Sequence, residues 1–227
     1  MNNYKLICLM ILLVICTLGC KKASFKHVLV NDKSNTFIIG EQIWMNQNLH
    51  VTHFNNGDFI PQAQSAKEWE DAGKNKQPAW CYSDDGSKEI FYNWYVIKDN
   101  RGIIPDGWHL PSYEEIQYVM KIHHVLNTLV SKDFDYGNAF ASYPSSRHKR
   151  EFECNTTYFI PLTYAGNRFG NGKFKGIEKI GVFWTSEEPE KGRGYIPVYA
   201  QLSDEKELYM VSSNPANGVA IRLIKNH

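Results

Sequence analysis

A rigid proline followed at once by a complete helix start is the tightest constraint in this chain. The run is Gly107-Trp108-His109-Leu110-Pro111-Ser112-Tyr113-Glu114-Glu115-Ile116. Ser112 suits an N-cap, and Glu115 three residues later completes a capping box. Two acids in the first turn also suit the positive end of a helix dipole. From Tyr113 to about Val130, Ile116, Val119, Met120, His123, Leu126 and Val130 recur at helical spacing, so one face is expected to be buried. The segment specifies one amphipathic helix, entered through a fixed corner beside a tryptophan. It specifies no chemistry.

Around this helix the chain is broken into short pieces. Thr36 to Ile39 and Gln42 to Met45 read as two strands about a turn, and Asn55-Asn56-Gly57-Asp58 is a strong turn signal. Ser65 to Ala72 is a short helix. Ala79 to Tyr82 is a strand, Asp84-Asp85-Gly86 a turn, and Ile90 to Ile97 a buried aromatic and β-branched run. The last third is β-rich: Tyr158 to Thr163, Gly181 to Thr185, Tyr195 to Leu202, Glu207 to Val211 and Gly218 to Ile224 are strands, with a glycine-rich turn at Asn167 to Gly172. Two helices, many short antiparallel strands and long loops make an α+β domain.

The N-terminus bears on location. Leu6 to Leu18 is nearly all apolar and follows Lys5, while Gly19-Cys20-Lys21-Lys22 closes it. That run is shorter than the roughly 20 residues of a membrane span and suits a signal segment. A cysteine directly after a small residue is the lipoprotein pattern, so residues 1–19 are expected to be removed and Cys20 acylated. Residues 20–34 then form a polar tether, and 35–227 one domain. Cys81 and Cys154 are the thiols left in an oxidising compartment. They either pair as a disulfide or pack as two buried free thiols. A net charge of +1 argues against nucleic-acid binding.

Several blocks carry a family resemblance. Gly40-Glu41-Gln42-Ile43-Trp44-Met45-Asn46-Gln47-Asn48-Leu49 resembles the opening of the Fibrobacter succinogenes major paralogous domain. Asn56-Gly57-Asp58 with Ile60-Pro61, Tyr92-Asn93-Trp94-Tyr95, Pro105 to Ser112 with Glu115, Phe183-Trp184-Thr185-Ser186 and Val219-Ala220-Ile221-Arg222 follow in the family's order, across about Thr36 to Lys225. The resemblance implies a lipoprotein or secreted protein of the Bacteroidetes or Fibrobacter type. More distantly, the blocks are similar to formylglycine-generating-enzyme-like and C-type-lectin-like folds. That implies a compact lectin-like domain in which the terminal strands pair and the helix after Pro111 packs on the sheet. Arg222 is expected to point away from Val219, Ile221 and Leu223, toward a carboxylate or solvent.

The chemistry of those distant relatives is missing. There is no late cysteine pair, and Gln77-Pro78-Ala79 and Asn214-Pro215-Ala216 lack the acid that a calcium loop needs. No metal or cofactor is therefore expected. His50 and His53, three apart in an extended stretch, face opposite ways. His123 and His124 diverge on a helix. Asp84 and Asp85 are the best oxygen cluster, and beside Gly86 they read first as a turn.

Aromatic residues make up 14% of the chain, a surplus that either packs a loop-rich core or recognises a ligand. Trp44, Trp94, Trp108 and Trp184 are assigned to the core. Trp69, Trp80, Tyr143, Phe169 and Tyr195 are assigned to a recognition surface. The expected function is a non-catalytic binding or adhesion module for glycan or protein, held at the outer membrane by its lipid. The alternative is a glycan-active envelope enzyme that uses Asp84 or Asp85 with a distant Glu at about 5–10 Å.

Overall fold

The computed structural model describes residues 35–130, 163–188, 194–202 and 208–226. The expected signal, tether and lipid site at Cys20, together with Tyr143, Cys154 and all of the expected strand Tyr158 to Thr163 except Thr163 itself, lie outside them. The strands are β1 (Thr36–Ile39), β2 (Gln42–Met45), β3 (Trp80–Tyr82), β4 (Ile90–Tyr92), β5 (Trp108–His109), β6 (Asn167–Arg168), β7 (Phe174–Lys175), β8 (Ile180–Trp184), β9 (Ile196–Leu202), β10 (Leu208–Ser213) and β11 (Ile224–Lys225). The helices are α1 (Ala66–Lys74), α2 (Trp94–Ile97) and α3 (Tyr113–Val130). Small antiparallel sheets with few helices place the domain in the α+β class.

One sheet has the order β1-β2-β11-β5 and another β10-β9-β8. The turn between β1 and β2 holds Gly40 at φ +58°, and a Cβ there would meet the Tyr118 hydroxyl at 2.3 Å. Glycine therefore serves both the turn and the close approach of α3. Ile224 of β11 pairs with Trp44 on one side and His109 on the other, so the terminal strands do meet. Ile116 and Val119 of α3 are buried in one cluster with Phe37, Ile39, Trp44 and Tyr199. The helix thus buries one face, as the periodicity implied, and packs on the sheet, as the resemblance implied.

The capping box of α3 forms as read. Ser112 Oγ accepts from the Glu115 amide at 3.2 Å, and Glu115 Oε2 accepts from the Ser112 amide at 2.8 Å. Helix α1 carries the same device, with Ser65 and Glu68 in the two roles. Asn93 does a similar service inside the expected buried run. Its side chain accepts from the Val96 amide, ends β4 and starts α2, so Ile90 to Ile97 is a strand followed by a helical turn.

Two buried clusters divide the interior, and the C-terminal segment feeds both. Ala220 and Ile224 enter the first, while Val219, Ile221 and Leu223 enter the second with Trp80, Trp94 and Trp184. The expected strand Gly218 to Ile224 is mostly a series of single bridges. Val219 pairs with Tyr92 and Ala220 with Phe183, and the carbonyls of Ile221 and Leu223 accept from the amides of Leu49 and Met45. The segment changes partner every residue or two because it is buried on both faces. Trp44, Trp94 and Trp184 are core residues, as assigned. Trp108 is not: it is half-buried on edge strand β5, packed against the rim of the second cluster.

Candidate functional site

Arg222 departs furthest from expectation. It is fully buried, so it does not reach solvent. Its Nε donates to Asn48 Oδ1 at 2.8 Å, and its Nη1 donates to the Met45 carbonyl at 3.0 Å. Alternation along an isolated strand would aim it outward, but residues 46–49 cross over this face of the segment. Burial pushes the guanidinium down to about 10. Burial also raises the Tyr199 phenol well above its ordinary value, against the opposing pull of Arg222.

The network continues to the surface. Asn48 Nδ2 donates to Glu89 Oε2 and to Thr163 Oγ1, each at 2.7 Å. His50 Nε2 donates to the same Glu89 oxygen at 3.1 Å. The side chains grade from the buried arginine to His50, 45% exposed, through Glu89 at 13%. This chain of polar groups ties the N-terminal hairpin, the loop before β4 and the C-terminus together. Asn48 Oδ1 and Glu89 Oε2 both accept from donors within the fold, which braces these segments against one another.

A second polar group sits at the head of α3. His109 Nε2 donates to Glu115 Oε1 at 2.8 Å, while its Nδ1 lies 2.7 Å from Asn226 Oδ1. One carboxylate thereby caps the helix through one oxygen and fastens β5 through the other.

The third group is a hairpin spanning residues 52–60. The Gly57 amide donates to the Phe54 carbonyl, the Phe54 amide donates to the Asp58 carbonyl, and the Ile60 amide donates to the Thr52 carbonyl. Arg101 straps it down. Its guanidinium lies 3.8 Å over the Phe54 ring, donates to Asp58 at 3.1 Å and makes two 2.8 Å bonds to Asp99. Arg101 hydrogen bonding holds the Asp99 carboxyl below its ordinary value. On the other face of the hairpin His53 and Phe59 pair, with ring centroids 4.3 Å apart, and Phe59 is 77% exposed.

The five aromatics assigned to a recognition surface fare unequally. Trp69 is fully buried: the Ser65 capping box phases α1 so that the indole points inward and donates to the Ala216 carbonyl at 3.0 Å. Gly218 leaves room for it, since a Cβ there would come within 2.8 Å of the ring. Trp80 is also buried, with its Nε1 donating to the Ile60 carbonyl at 2.9 Å. These two are corrected to core. Phe169 and Tyr195 are exposed at 36% and 51%, on the β6–β7 turn and just before β9. Tyr143 lies outside the described residues. The exposed rings that sequence reasoning missed are Phe59, Tyr82, Tyr113 and Tyr118. Tyr82 stands 5.1 Å edge-on from Trp80 and takes the outer position assigned to it. An Asn-Gly turn flanked by aromatic residues was the available signal for Phe59.

The remaining candidates resolve into structure. Cys81 is a free, buried thiol, and Cys154, the other half of the possible disulfide, lies outside the described residues. Cys81 faces the first cluster, where Arg168 is sandwiched between Trp69 and Phe174, and burial pushes its thiol up to about 11. Asp85 closes the expected turn, accepting from Ser83 Oγ at 2.6 Å and from the Ser87 amide at 2.9 Å. Burial opposes its ionisation, but these donors together hold its carboxyl below the ordinary value. Among the described residues no group of three or more His, Cys, Asp or Glu side chains is placed to hold a metal. No described helix is long and apolar enough to cross a membrane.

The domain is thus an α+β scaffold braced by internal polar groups, with aromatic rings left on its surface. The chain belongs to the Fibrobacter succinogenes major domain family, whose profile matches residues 38–225. No curated protein and no solved structure matches it.

Proposed function

We propose that the protein is a non-catalytic binding or adhesion module of the cell envelope, for glycan or protein, held at the outer membrane by a lipid on Cys20. One observation carries the binding reading: Phe59 is 77% exposed on a hairpin fastened by turn, strap and cross-strand bonds. Phe59 is held by its cross-strand partner His53 while most of its ring stays in water, and a side chain already fixed in place pre-pays part of the ordering cost of binding. Glu115 supports the same reading, because both of its oxygens accept from internal donors, His109 and the Ser112 amide. We assign the fold to the C-type-lectin-like class on the pairing of β2 with β11. That is an analogy of architecture and carries no ligand with it.

The test is sedimentation of the full chain with washed envelope polysaccharide and envelope protein fractions, alongside an assay for newly formed reducing ends. Retention on one fraction without new reducing ends is expected. Retention on neither, or steady release of reducing ends, overturns the binding reading. For the anchor, Cys20→Ser should move the protein from the membrane fraction to the soluble one; an unchanged distribution and mobility would refute lipidation.

A further inference from the structure

We propose that the outer face of the β6–β7 hairpin binds an anionic glycan, with a sugar ring on Phe169 and its acid groups on Lys173 and Lys175. The inference rests on the binding-module reading, and it adds to the Phe59 hairpin a second surface with a ligand class of its own.

Register puts these side chains on one face. Asn167 pairs with Lys175 and Arg168 with Phe174. The Phe169 amide donates to the Lys173 carbonyl at 2.8 Å, so Phe169 and Lys173 are the next pair. Arg168 and Phe174 point inward: the buried guanidinium lies 4.9 Å over the Phe174 ring and 5.1 Å over Trp69. Alternation then sends Asn167, Phe169, Lys173 and Lys175 outward together. Both lysines are exposed, and Phe169 is exposed at 36%. Directly opposed side chains stand about 5 Å apart, and neighbours along one strand face about 6.6 Å. The hairpin tip is fixed from behind. A Cβ on Gly172 would meet Ala66 of α1 at 2.6 Å, and the Gly170 amide donates to Asn217 Oδ1 at 2.9 Å.

The fold contains the same turn twice, once covered and once open. In residues 54–58 and 169–173 the phenylalanine amide donates to the carbonyl four residues on, and the glycine amide donates back to the phenylalanine carbonyl. In both, the asparagine Oδ1 accepts from the amide two residues on. On the first turn Arg101 covers Phe54 and bonds Asp58. On the second, Lys173 takes the place of Asp58 and Phe169 keeps its exposure. Ring cover and counter-charge come from within the chain at one turn and are left to a ligand at the other.

Charge sets the sign of that ligand and size its class. No acid occurs from Cys154 to Ile177, and neither Lys173 nor Lys175 is ion-paired among the described residues. The lysines of α1, behind the tip, pair with Asp71 and Glu70 of their own helix. Two unpaired cations beside an open ring call for an anion with an apolar face. A face of four side chains falls far below the roughly 800 Å² that each partner gives a stable protein interface. Strand β6 has no edge to lend a peptide, because Arg168 and Gly218 exchange two backbone bonds at 2.9 and 2.7 Å. A uronate or sulfated sugar fits. Its C–H face suits the negative face of an aromatic ring, and its hydroxyls meet in Asn167 an amide that both donates and accepts.

The experiment is isothermal titration calorimetry of the full chain with hexagalacturonate, hyaluronan hexasaccharide and chondroitin sulfate hexasaccharide. Maltohexaose and hexaglutamate are the neutral and peptide controls. An amine-oxide detergent is used, because a sugar-headed one would compete. At least one acidic hexasaccharide should bind at least tenfold more tightly than either control, and preference for the carboxylated or the sulfated chain tells which acid group is read. Affinity should fall at least fivefold between about 50 and 300 mM sodium chloride, since exposed charges are screened. Lys173→Gln with Lys175→Gln should weaken binding tenfold or more, and Lys173→Arg should retain it. Phe169→Leu, which keeps apolar bulk but no flat face, should weaken it at least fivefold with unchanged melting. Binding that survives both the double lysine variant and Phe169→Leu overturns the site while leaving the binding module intact. Equal binding of hexaglutamate overturns the glycan assignment in favour of an acidic peptide. Retention on envelope fractions with no response to any acidic hexasaccharide overturns the anionic class alone. Should Phe169→Leu lower the melting point, the double variant of the exposed lysines decides the matter by the same criterion.

Discussion

At the residue scale, burial overrides side-chain identity. Cys81 looks like half of a disulfide by count and compartment, yet it sits at 2% exposure as a free thiol. A thiol raised to about 11 is almost wholly protonated at neutral pH, and only the thiolate reacts. Native protein treated with iodoacetamide should therefore leave the Cys81 peptide unlabelled, and denatured protein should label it fully. A Cys81 peptide bridged to Cys154 in a non-reducing map would contradict this. Tryptophans divide on the same ground. Trp184 is fully buried and its Nε1 donates to the Tyr92 carbonyl at 2.8 Å, so Trp184→Ala should cost about 3–5 kcal/mol. Trp108, only half-buried on an edge strand, should lose about 2 kcal/mol on the same change, as part of its area is already in water. Urea denaturation of the two variants measures both, and equal losses would show that Trp108 is a core residue.

At the scale of elements, the helix starts were the most legible features and the hairpin strap the least. Ser65-x-x-Glu68 and Ser112-x-x-Glu115 cap their helices through bonds that span three residues, so local sequence suffices. Arg101 reaches Asp58 across 43 positions, a pairing no local pattern encodes. The strap makes a pH prediction. Asp99 has a folded pKa lowered from 3.8, first by the hydrogen bond from Arg101. A depressed carboxylate adds stability that is complete above its unfolded value and lost as pH falls through the folded one. Melting of the hairpin region should therefore weaken below about pH 4, the ordinary range of an aspartate. Asp99→Asn should start less stable and lose less over that window. Thermal melts from pH 6 to pH 2 test it, and parallel curves for the two proteins would remove Asp99 from the account.

At the scale of the whole molecule, the C-terminal segment is the spine. It bridges β4, β8 and the stretch after β2 in turn, fills both clusters and carries Arg222 into the interior. Ending the chain at Asn217 would strip one wall from each cluster and leave Asn48 without its guanidinium partner. A buried polar group so orphaned costs about 1–3 kcal/mol on its own. The truncated protein should unfold as a unit, with loss of near-ultraviolet dichroism and no cooperative melt. A native-like melt would mean that the two clusters stand without their shared strand.

The sequence by itself determined the α+β class, the helix starts, the Asn-Gly hairpin turn and the family, because each rests on local periodicity, capping or ordered motif blocks. It also implied the meeting of the terminal strands, through resemblance. Only the tertiary structure decided which aromatics are buried. Trp80 and Tyr82 share a short strand and a face by alternation, yet a crossing backbone covers the first and leaves the second in water. The same holds for Arg222, turned inward because Asn48 and Met45 supply its acceptors from 174 and 177 positions away. Periodicity tells which residues point the same way. What lies on that side is set by segments distant in the chain, and so is the surface from which this protein would meet its ligand.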